Sequence, residues 1–318
     1  MDTDTRRHEK YDSLIARCQS LAPVPTAVAH PCDASSLAGA VEAAAADMIR
    51  PILVGPEAKI RKVAAENGIN LDGIRIIDAA HSHDSAEKAV ALVRTGEVAA
   101  LMKGSLHTDE LLSAMVKKDT GIRTARRLSH VFIMDVPTYP KLLFITDAAV
   151  NIAPSLDDKA DIVANAIELA QALGVVTPKV AILSAVEMVN SKIPSTIDAA
   201  ALCKMAERGQ IRGGILDGPL ALDNAISMEA AATKGIVSPV AGNADILLVP
   251  DLESGNMLAK ELTFLANADA AGIVLGARVP VILTSRADSV RARLASCAVA
   301  VIYSHAVRIA AGLGKLVE

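Results

Sequence analysis

The feature that most constrains this chain is an alternation of short β-rich runs with alanine-rich, helix-period stretches that persists almost from end to end. Thr26–Ala29 precedes Ser36–Ile49, whose alanines and acidic breaks read as a helix. Pro51–Gly55 reads as a buried strand ending in a turn, Glu57–Asn67 as a helix closed by Gly68, and Arg75–Asp78 as the next strand. Ser85–Thr95 follows as a helix, and Val98–Met102 as a strand running into Lys103-Gly104. The rhythm resumes with a strand at Lys141–Thr146, a helix at Lys159–Leu173, a strand at Lys179–Leu183 and a helix at Ser195–Arg208. Gly214–Asp217 and Ile246–Pro250 read as further strands. Parallel strands need a crossover, usually helical, so this alternation predicts an α/β fold of the doubly wound type. In the helix at Lys159, Ile162, Ala166, Leu169, Ala170 and Leu173 form one apolar stripe, which is packing.

Composition supports this class. Hydrophobic residues make up 52% of the chain, but aromatics only 2%, with no Trp. Small and β-branched side chains suit parallel strands covered by alanine-rich helices. A length of 318 residues fits two domains of ~150 residues each. No Gly/Ser-rich linker marks a boundary, so topology must supply it. Pro137-Thr138-Tyr139-Pro140 is the expected first crossover, and the chain is expected to return to its first domain after Val279-Pro280, where a strand and a helix remain. This gives a first domain of residues 1–137 plus 280–318 and a second of residues 138–279.

Several function classes are disfavoured. A net charge of -4, with no long Lys/Arg block and few stacking rings, argues against nucleic acid as a partner. Cys18, Cys32, Cys203 and Cys297 lie far apart without metal-like spacing and read as isolated reduced thiols. The first fourteen residues are polar and contain no signal-like apolar run, and no stretch offers ~20 uninterrupted apolar residues for a membrane span. The nearest, Ala266–Leu283, is broken by Asp269 and Arg278. A cytoplasmic location is the expectation.

Ligands of open α/β sheets bind outside the carboxyl ends of strands, and four strand-to-loop junctions carry polar residues there. The first is Leu101–Asp109, where Ser105, Thr108, His107 and Lys103 could meet an anion; Ser105 or Thr108 could equally be a helix cap. The Walker spacing is absent. The second is Leu283–Val290: Arg286 beside hydroxyls, directly after Val281–Leu283, suits a phosphate, because the guanidinium fork matches phosphate oxygens. Asp288 could be a base or could orient Arg286; alternatively Ser285 or Asp288 merely caps the following helix. The third, Val249–Met257, places Asp251, Ser254, Gly255 and Asn256 on one loop, or else forms a turn with a cap. The fourth, Ile215–Asp223, reads as a strand, an Asp-Gly turn using Asp217, and a second acid. One loop of paired acids is too little for a metal site, and the His81/His83 pair reads as surface. His305 reads as packing or exposed.

Together these loops carry a resemblance. Ser238–Asn256 followed by Leu283–Ser289 is similar to the phosphate acetyltransferase/phosphate butyryltransferase family, with Lys103–Thr108, Ile145–Asn151 and Leu216–Asp223 falling at corresponding loops. It extends over nearly the whole chain from about Leu14, and looks closer to the butyryl branch and to the acyltransferase half of fusions with an enoyl-CoA hydratase. The resemblance implies two α/β domains, each a mainly parallel sheet flanked by helices, with an interdomain cleft, and a homodimer formed through the second domain. It implies exchange of a short acyl group between coenzyme A and inorganic phosphate, with the coenzyme A thioester as substrate and no cofactor or metal. By the same resemblance, Ser285-Arg286 contacts phosphate and stabilises the tetrahedral intermediate. The family's thiol-deprotonating Asp corresponds to Ala292, which leaves Asp288 as the candidate base, and an Arg of the acetyl enzymes corresponds to Leu112, leaving Lys103, Arg123 or Arg126 to supply charge. Two other readings stand beside this one: a metal- and NAD-dependent decarboxylating dehydrogenase of similar fold, and a catalytically inactive protein that binds acyl-CoA or phosphate.

Overall fold

The computed structural model describes residues 9–283 and 289–312. The chain opens with α1 (Glu9–Cys18), β1 (Val24–Ala29), α2 (Ala34–Ala45), β2 (Ile49–Gly55), α3 (Glu57–Glu66), β3 (Arg75–Asp78), α4 (Ser82–Thr95), β4 (Ala100–Lys103) and α5 (Thr108–Val116). It continues through β5 (Ser129–Asp135), β6 (Leu143–Thr146), α6 (Leu156–Ala172), β7 (Lys179–Leu183), α7 (Pro194–Glu207), β8 (Ile215–Leu220), α8 (Leu222–Ile226), α9 (Met228–Thr233), β9 (Ile246–Leu248) and α10 (Leu252–Phe264). β10 (Asp269–Leu275), β11 (Val281–Ile282) and α11 (Val290–Ala310) complete it.

The chain divides into two compact units. A terminal unit holds Tyr11–Arg126 and the segment from Ala271 onward; a central unit holds Arg127–Ala270 with the segment ending at Lys10. Pro137–Pro140 lies inside the central unit, between the antiparallel strands β5 and β6, and Val279-Pro280 lies inside the terminal unit, just before β11.

In the terminal unit the strand order is β3-β2-β1-β4-β11-β10, with all neighbours parallel except β10 against β11. The register aligns Val28 with Leu53 on one side and Met102 on the other. Leu53, Leu101, Met102 and Val28 are fully buried because helices cover both faces, which is why these strands are apolar throughout rather than alternating. Alanines let the helices sit close to the sheet: Ala40 and Ala43 of α2 and Ala86 and Ala89 of α4 are buried. Asp33 starts α2, its Oδ1 accepting from the Ser36 amide at 2.8 Å. Among the described residues, α11 is the one helix long and apolar enough to cross a bilayer. Most of that stretch is buried in this unit, where α11 packs on α2, β4 and β11. His305 of α11 is buried, with its Nε2 2.8 Å from the Ala22 carbonyl.

In the central unit the order is β5-β6-β9-β7-β8, parallel from β6 onward. Its core gathers Met134, Ile145, Ala181, Leu183, Leu247 and Val249. Ser155 caps α6, and the Asp158 carboxylate in return accepts from the Ser155 amide at 3.0 Å. Ile162, Ala166, Leu169 and Ala170 of α6 are fully buried, as the apolar stripe requires, and burial of each large member contributes about 1.5–3 kcal/mol.

One local expectation is corrected. Asp217-Gly218-Pro219 makes no turn; all three residues lie within β8, which continues to Leu220. Proline is tolerated there because β8 ends the strand order of its unit, leaving one side where no ladder amide is needed, and the register to β7 shifts beside it. Asp217 Oδ1 accepts from the Gly218 amide at 2.9 Å.

Candidate active site

Strand order reverses twice, once in each unit, and polar loops converge at both reversals. In the terminal unit the reversal separates β1 from β4. Ligand crevices of open sheets form at such points because the two crossovers leave on opposite faces. Gly104 follows β4 there, and the approach is so close that a Cβ on it would lie 2.4 Å from the Ala29 oxygen and 2.5 Å from the His30 oxygen. Glycine is required by that contact. Its amide donates to Ala29 at 2.8 Å, and the Ser105 amide donates to the His30 carbonyl at 2.9 Å.

The Ser105 hydroxyl donates to the same carbonyl at 2.8 Å and accepts from the Cys32 amide at 3.2 Å. Ser105 thus fastens the β1 loop, its one proton on the His30 carbonyl, and the cap position of α5 falls to another residue. His107 takes the cap position of α5, and its amide donates to Glu110 at 2.9 Å. The Glu110 carboxylate also accepts from Ser82 at 2.7 Å and lies 3.2 Å from His83, tying the start of α4 to the start of α5. The Ser82 hydrogen bond is the main force holding Glu110 below the usual carboxylate range. Thr108 is half-buried as the first residue of α5, and Lys103 Nζ donates to the Gly104 carbonyl at 3.1 Å. Leu112 is half-buried one turn later, while Arg123 and Arg126 are exposed in the same unit.

Sequence reasoning missed His30. It follows β1 directly and has a left-handed φ of 56°, which is uncommon for a residue with a Cβ. The Ser85 hydroxyl donates its proton to the His81 carbonyl at 2.8 Å, so His30 Nδ1, 3.0 Å away, is the donor to Ser85. Nε2 then carries the lone pair. Burial, aided by Lys59, lowers the His30 pKa, keeping the ring neutral near pH 7. The available signal was a polar His-Pro-Cys-Asp run after an apolar strand.

In the central unit the order reverses between β6 and β9. The Asp147 carboxylate, just past β6, accepts from the amides of Ala149 and Val150 at 3.0 Å and of Asn151 at 3.2 Å. Asn151 donates to the Leu128 carbonyl at 2.8 Å, and its Oδ1 accepts from Arg127 Nε at 2.8 Å. Beside Asp147, His130 is wholly buried, and its Nδ1 has no hydrogen-bond partner among the described residues. Burial pushes its pKa down to about 4, against the opposing pull of Asp147. Roles for Asp147, Asn151 and His130 could not be read from sequence, although residues 145–151 stood out as a motif.

The loop after β9 packs against this one. Asp251 caps α10, its Oδ1 accepting from the Ser254 amide at 2.9 Å and hydroxyl at 2.7 Å. The Ser254 hydrogen bond leads the effects that hold Asp251 below the usual carboxylate range. A Cβ on Gly255 would stand 2.6 Å from Val249 Cγ2 and 3.1 Å from the Asp147 oxygen, so glycine lets α10 seat on the β6 loop. Asn256 Nδ2 donates to the Ala148 carbonyl at 3.2 Å. These four residues thus fix the amino end of α10, whose first amides are already taken: Leu252 N donates to the Ile152 carbonyl at 3.1 Å and Gly255 N to the Asp251 carbonyl at 3.2 Å. A wider cavity of about 770 Å³ opens past the carboxyl ends of β7 and β8, lined by Met188, Val189, Asp223 and the Glu187–Lys234 ion pair.

Ser285, Arg286 and Asp288 lie outside the described residues. The residues flanking them are informative: Leu283 donates to the Gly272 carbonyl at 3.3 Å, and Ser289 caps α11, its Oγ accepting from the Ala292 amide at 3.1 Å. Ala292 is buried in the first turn of α11. Among the described residues no three His, Cys, Asp or Glu side chains gather as for a metal ion. The four cysteines are unpaired, and burial pushes the thiols of Cys18, Cys203 and Cys297 up to about 12, far from a reactive thiolate.

Comparison with known proteins gives this geometry a family. The family model "Phosphate acetyl/butaryl transferase" matches residues 81–301. A phosphate acetyltransferase of Rhizobium meliloti is 66% identical over 295 residues, 93% of each chain. A phosphate butyryltransferase of Clostridium acetobutylicum is 40% identical over 294 residues, covering 92% of this chain and 98% of its own. Among solved structures, a branched-chain phosphotransacylase of Enterococcus faecalis V583 superimposes with a TM-score of 0.77 at 34% identity, covering 89% of this chain and 99% of its own. The chain therefore belongs to the phosphate acetyltransferase/phosphate butyryltransferase family.

Proposed function

We propose that this enzyme transfers a short acyl group directly between coenzyme A sulfur and a phosphate oxygen, with acetyl as the preferred group. The activity is that of a phosphate acyltransferase, and the observation that carries it is the 66% identity to a phosphate acetyltransferase along 93% of both chains. That likeness disfavours a dehydrogenase or an inactive binding protein.

The chemistry sets the demands. Phosphate needs fixed donors and positive charge, and attack on the thioester builds a tetrahedral oxyanion. Each critical preorganised donor to such an oxyanion is worth about 3–4 kcal/mol. Ser285 and Arg286 grip phosphate in this proposal, with Thr108 and Lys103 adding a hydroxyl and a charge and His107 standing beside them. In the same proposal Asp251, Ser254, Gly255 and Asn256 serve the substrates through the cap and first turn of α10, which they hold on the β6 loop. Asp288 or a group close to it receives the thiol proton. An acyl-cysteine route is disfavoured by the high thiol pKa values. A cytoplasmic setting suits the unpaired thiols. Exposed Met188, Val189, Met228 and Val237 on the central unit suit pairing with a second copy.

The test supplies acetyl-, propionyl- and butyryl-CoA with and without phosphate and follows free thiol. Phosphate-dependent release ranked acetyl first is expected. Release indifferent to phosphate would overturn the reaction, and a butyryl-first ranking would overturn the substrate.

A further inference from the structure

The terminal unit contains a second cavity at the opposite ends of its strands. About 330 Å³ in volume, it sits where β1, β4 and β11 begin, lined by Pro25, Val98, Val279 and Pro280 and by the last turns of α11. Two arginines border it. Arg308 is half-buried, and its Nε is a buried donor with no acceptor among the described residues. Arg278 is exposed, with no side-chain partner among the described residues. The lining contains one acid, Glu97, whose carboxylate is already held by Arg75 at 3.0 Å and Thr95 at 3.2 Å. The cavity therefore carries two arginines in a lining that is otherwise largely apolar, with Tyr303 and Ser304 its further polar side chains, a combination that fits a small organic anion better than bare phosphate.

Its position separates it from the chemistry. β4 has four residues, so roughly 13 Å of strand lies between this end and the Gly104 loop. Both ends of the segment 284–288 nevertheless lead here. Val279-Pro280 runs into β11 on one side of it, and α11 on the other side, which runs to Ala310, brings Val307 and Arg308 of its last turn to the cavity. A ligand that fixes these elements acts on the tethers of the phosphate-gripping loop.

We propose that this cavity is an effector site for a small organic anion, its carboxylate or phosphate held by Arg308 and Arg278 and its carbon body resting on Val98, Val279 and Val307. The effect on turnover rests on the acyltransferase reading above; the binding does not.

Benzoate and phenyl phosphate serve as the carboxylate and phosphate probes, titrated calorimetrically into the full chain and then added to the thiol-release assay. Saturable binding of one probe is expected at one site per chain. Arg308→Gln should weaken it at least tenfold, and Val307→Trp, at an exposed position on the cavity mouth, should abolish it. Arg278→Gln provides a second charge deletion if Arg308→Gln does not fold. Arg286→Ala should leave it intact, which separates cavity binding from binding at the acyl-transfer site. The ligand should change kcat/KM about fivefold or more in the parent and not in Val307→Trp, whose basal turnover stays within about twofold. Which probe binds assigns the anion class. Failure of both to bind, or binding untouched by all three cavity substitutions, overturns the site; binding without a change in turnover overturns the effector role.

Discussion

Replacing Gly104 with Ala tests the closest backbone approach in the candidate site. The added Cβ would lie 2.6 Å from the His30 carbonyl carbon. Carbon atoms pack best from about 3.5 Å, so the β4 loop must retreat by about 0.9 Å. Three hydrogen bonds cross this gap: Gly104 N to Ala29 O at 2.8 Å, Ser105 N to His30 O at 2.9 Å, and Ser105 Oγ to His30 O at 2.8 Å. A retreat of that size stretches each beyond the ~3.2 Å limit, and at about 1 kcal/mol apiece their loss costs about 3 kcal/mol. Ser105→Ala is the control, removing one of these bonds and the acceptor for Cys32 without overlap, at about 1–2 kcal/mol. Urea unfolding measures both, and the thiol-release assay gives KM for phosphate, which should rise about tenfold in Gly104→Ala. A loss below about 1 kcal/mol with an unchanged KM would refute the reasoning, because the loop would then have room the structure does not show.

Other consequences are open to measurement. Arg286→Ala should lower turnover by orders of magnitude while leaving the thermal transition in place; near-normal turnover would remove that loop from the mechanism. His130 has a folded pKa near 4, below the unfolded 6.5, so the unfolded chain binds more protons between those values. Its stabilising contribution is complete above pH 6.5 and is lost as pH falls toward 4. Urea midpoints at pH 7.5, 5.5 and 4.5 should drop less in His130→Gln than in the parent; parallel slopes would contradict the burial of a neutral ring. Lys159 is buried and pairs with Asp198 at 2.6 Å. Asp198→Ala alone should cost about 3 kcal/mol, and Lys159→Met in the same chain should restore most of it, as a double-mutant cycle in urea would register.

How much of this was legible depended on whether the deciding contact was local. The helices over residues 57–66 and 156–172 follow from periods held within each segment, so the sequence shows them closely, although the Glu57 amide finds its acceptor in Asp78 of β3. β8 defeated that reading because Asp-Gly-Pro is turn chemistry by local rules, and only the strand's place at the end of the order makes it acceptable. The loops at the carboxyl ends of strands were visible as polar breaks after apolar runs. Their pairing, 101–109 with His30 and 249–257 with Asp147, was not, because it depends on which strands become neighbours. Ser105 illustrates the limit: its residue type fits an anion contact, and only the position of the His30 carbonyl shows where its proton goes. The cavity beside Arg308 joins segments near residues 25, 98, 279 and 308, a set no motif could connect.

The place of β11 in the order carries a consequence for synthesis. β4 is flanked by β1, made some seventy residues earlier, and by β11, made nearly two hundred residues later. As the ribosome releases the chain, β4 must wait with one ladder of amides and carbonyls open, while the central unit, nearly contiguous from Arg127 to Ala270, gathers its strands in turn. The half of the protein made first is thus finished last, and nascent chains halted before residue 281 should be those that a chaperone, or another unpaired edge, holds longest.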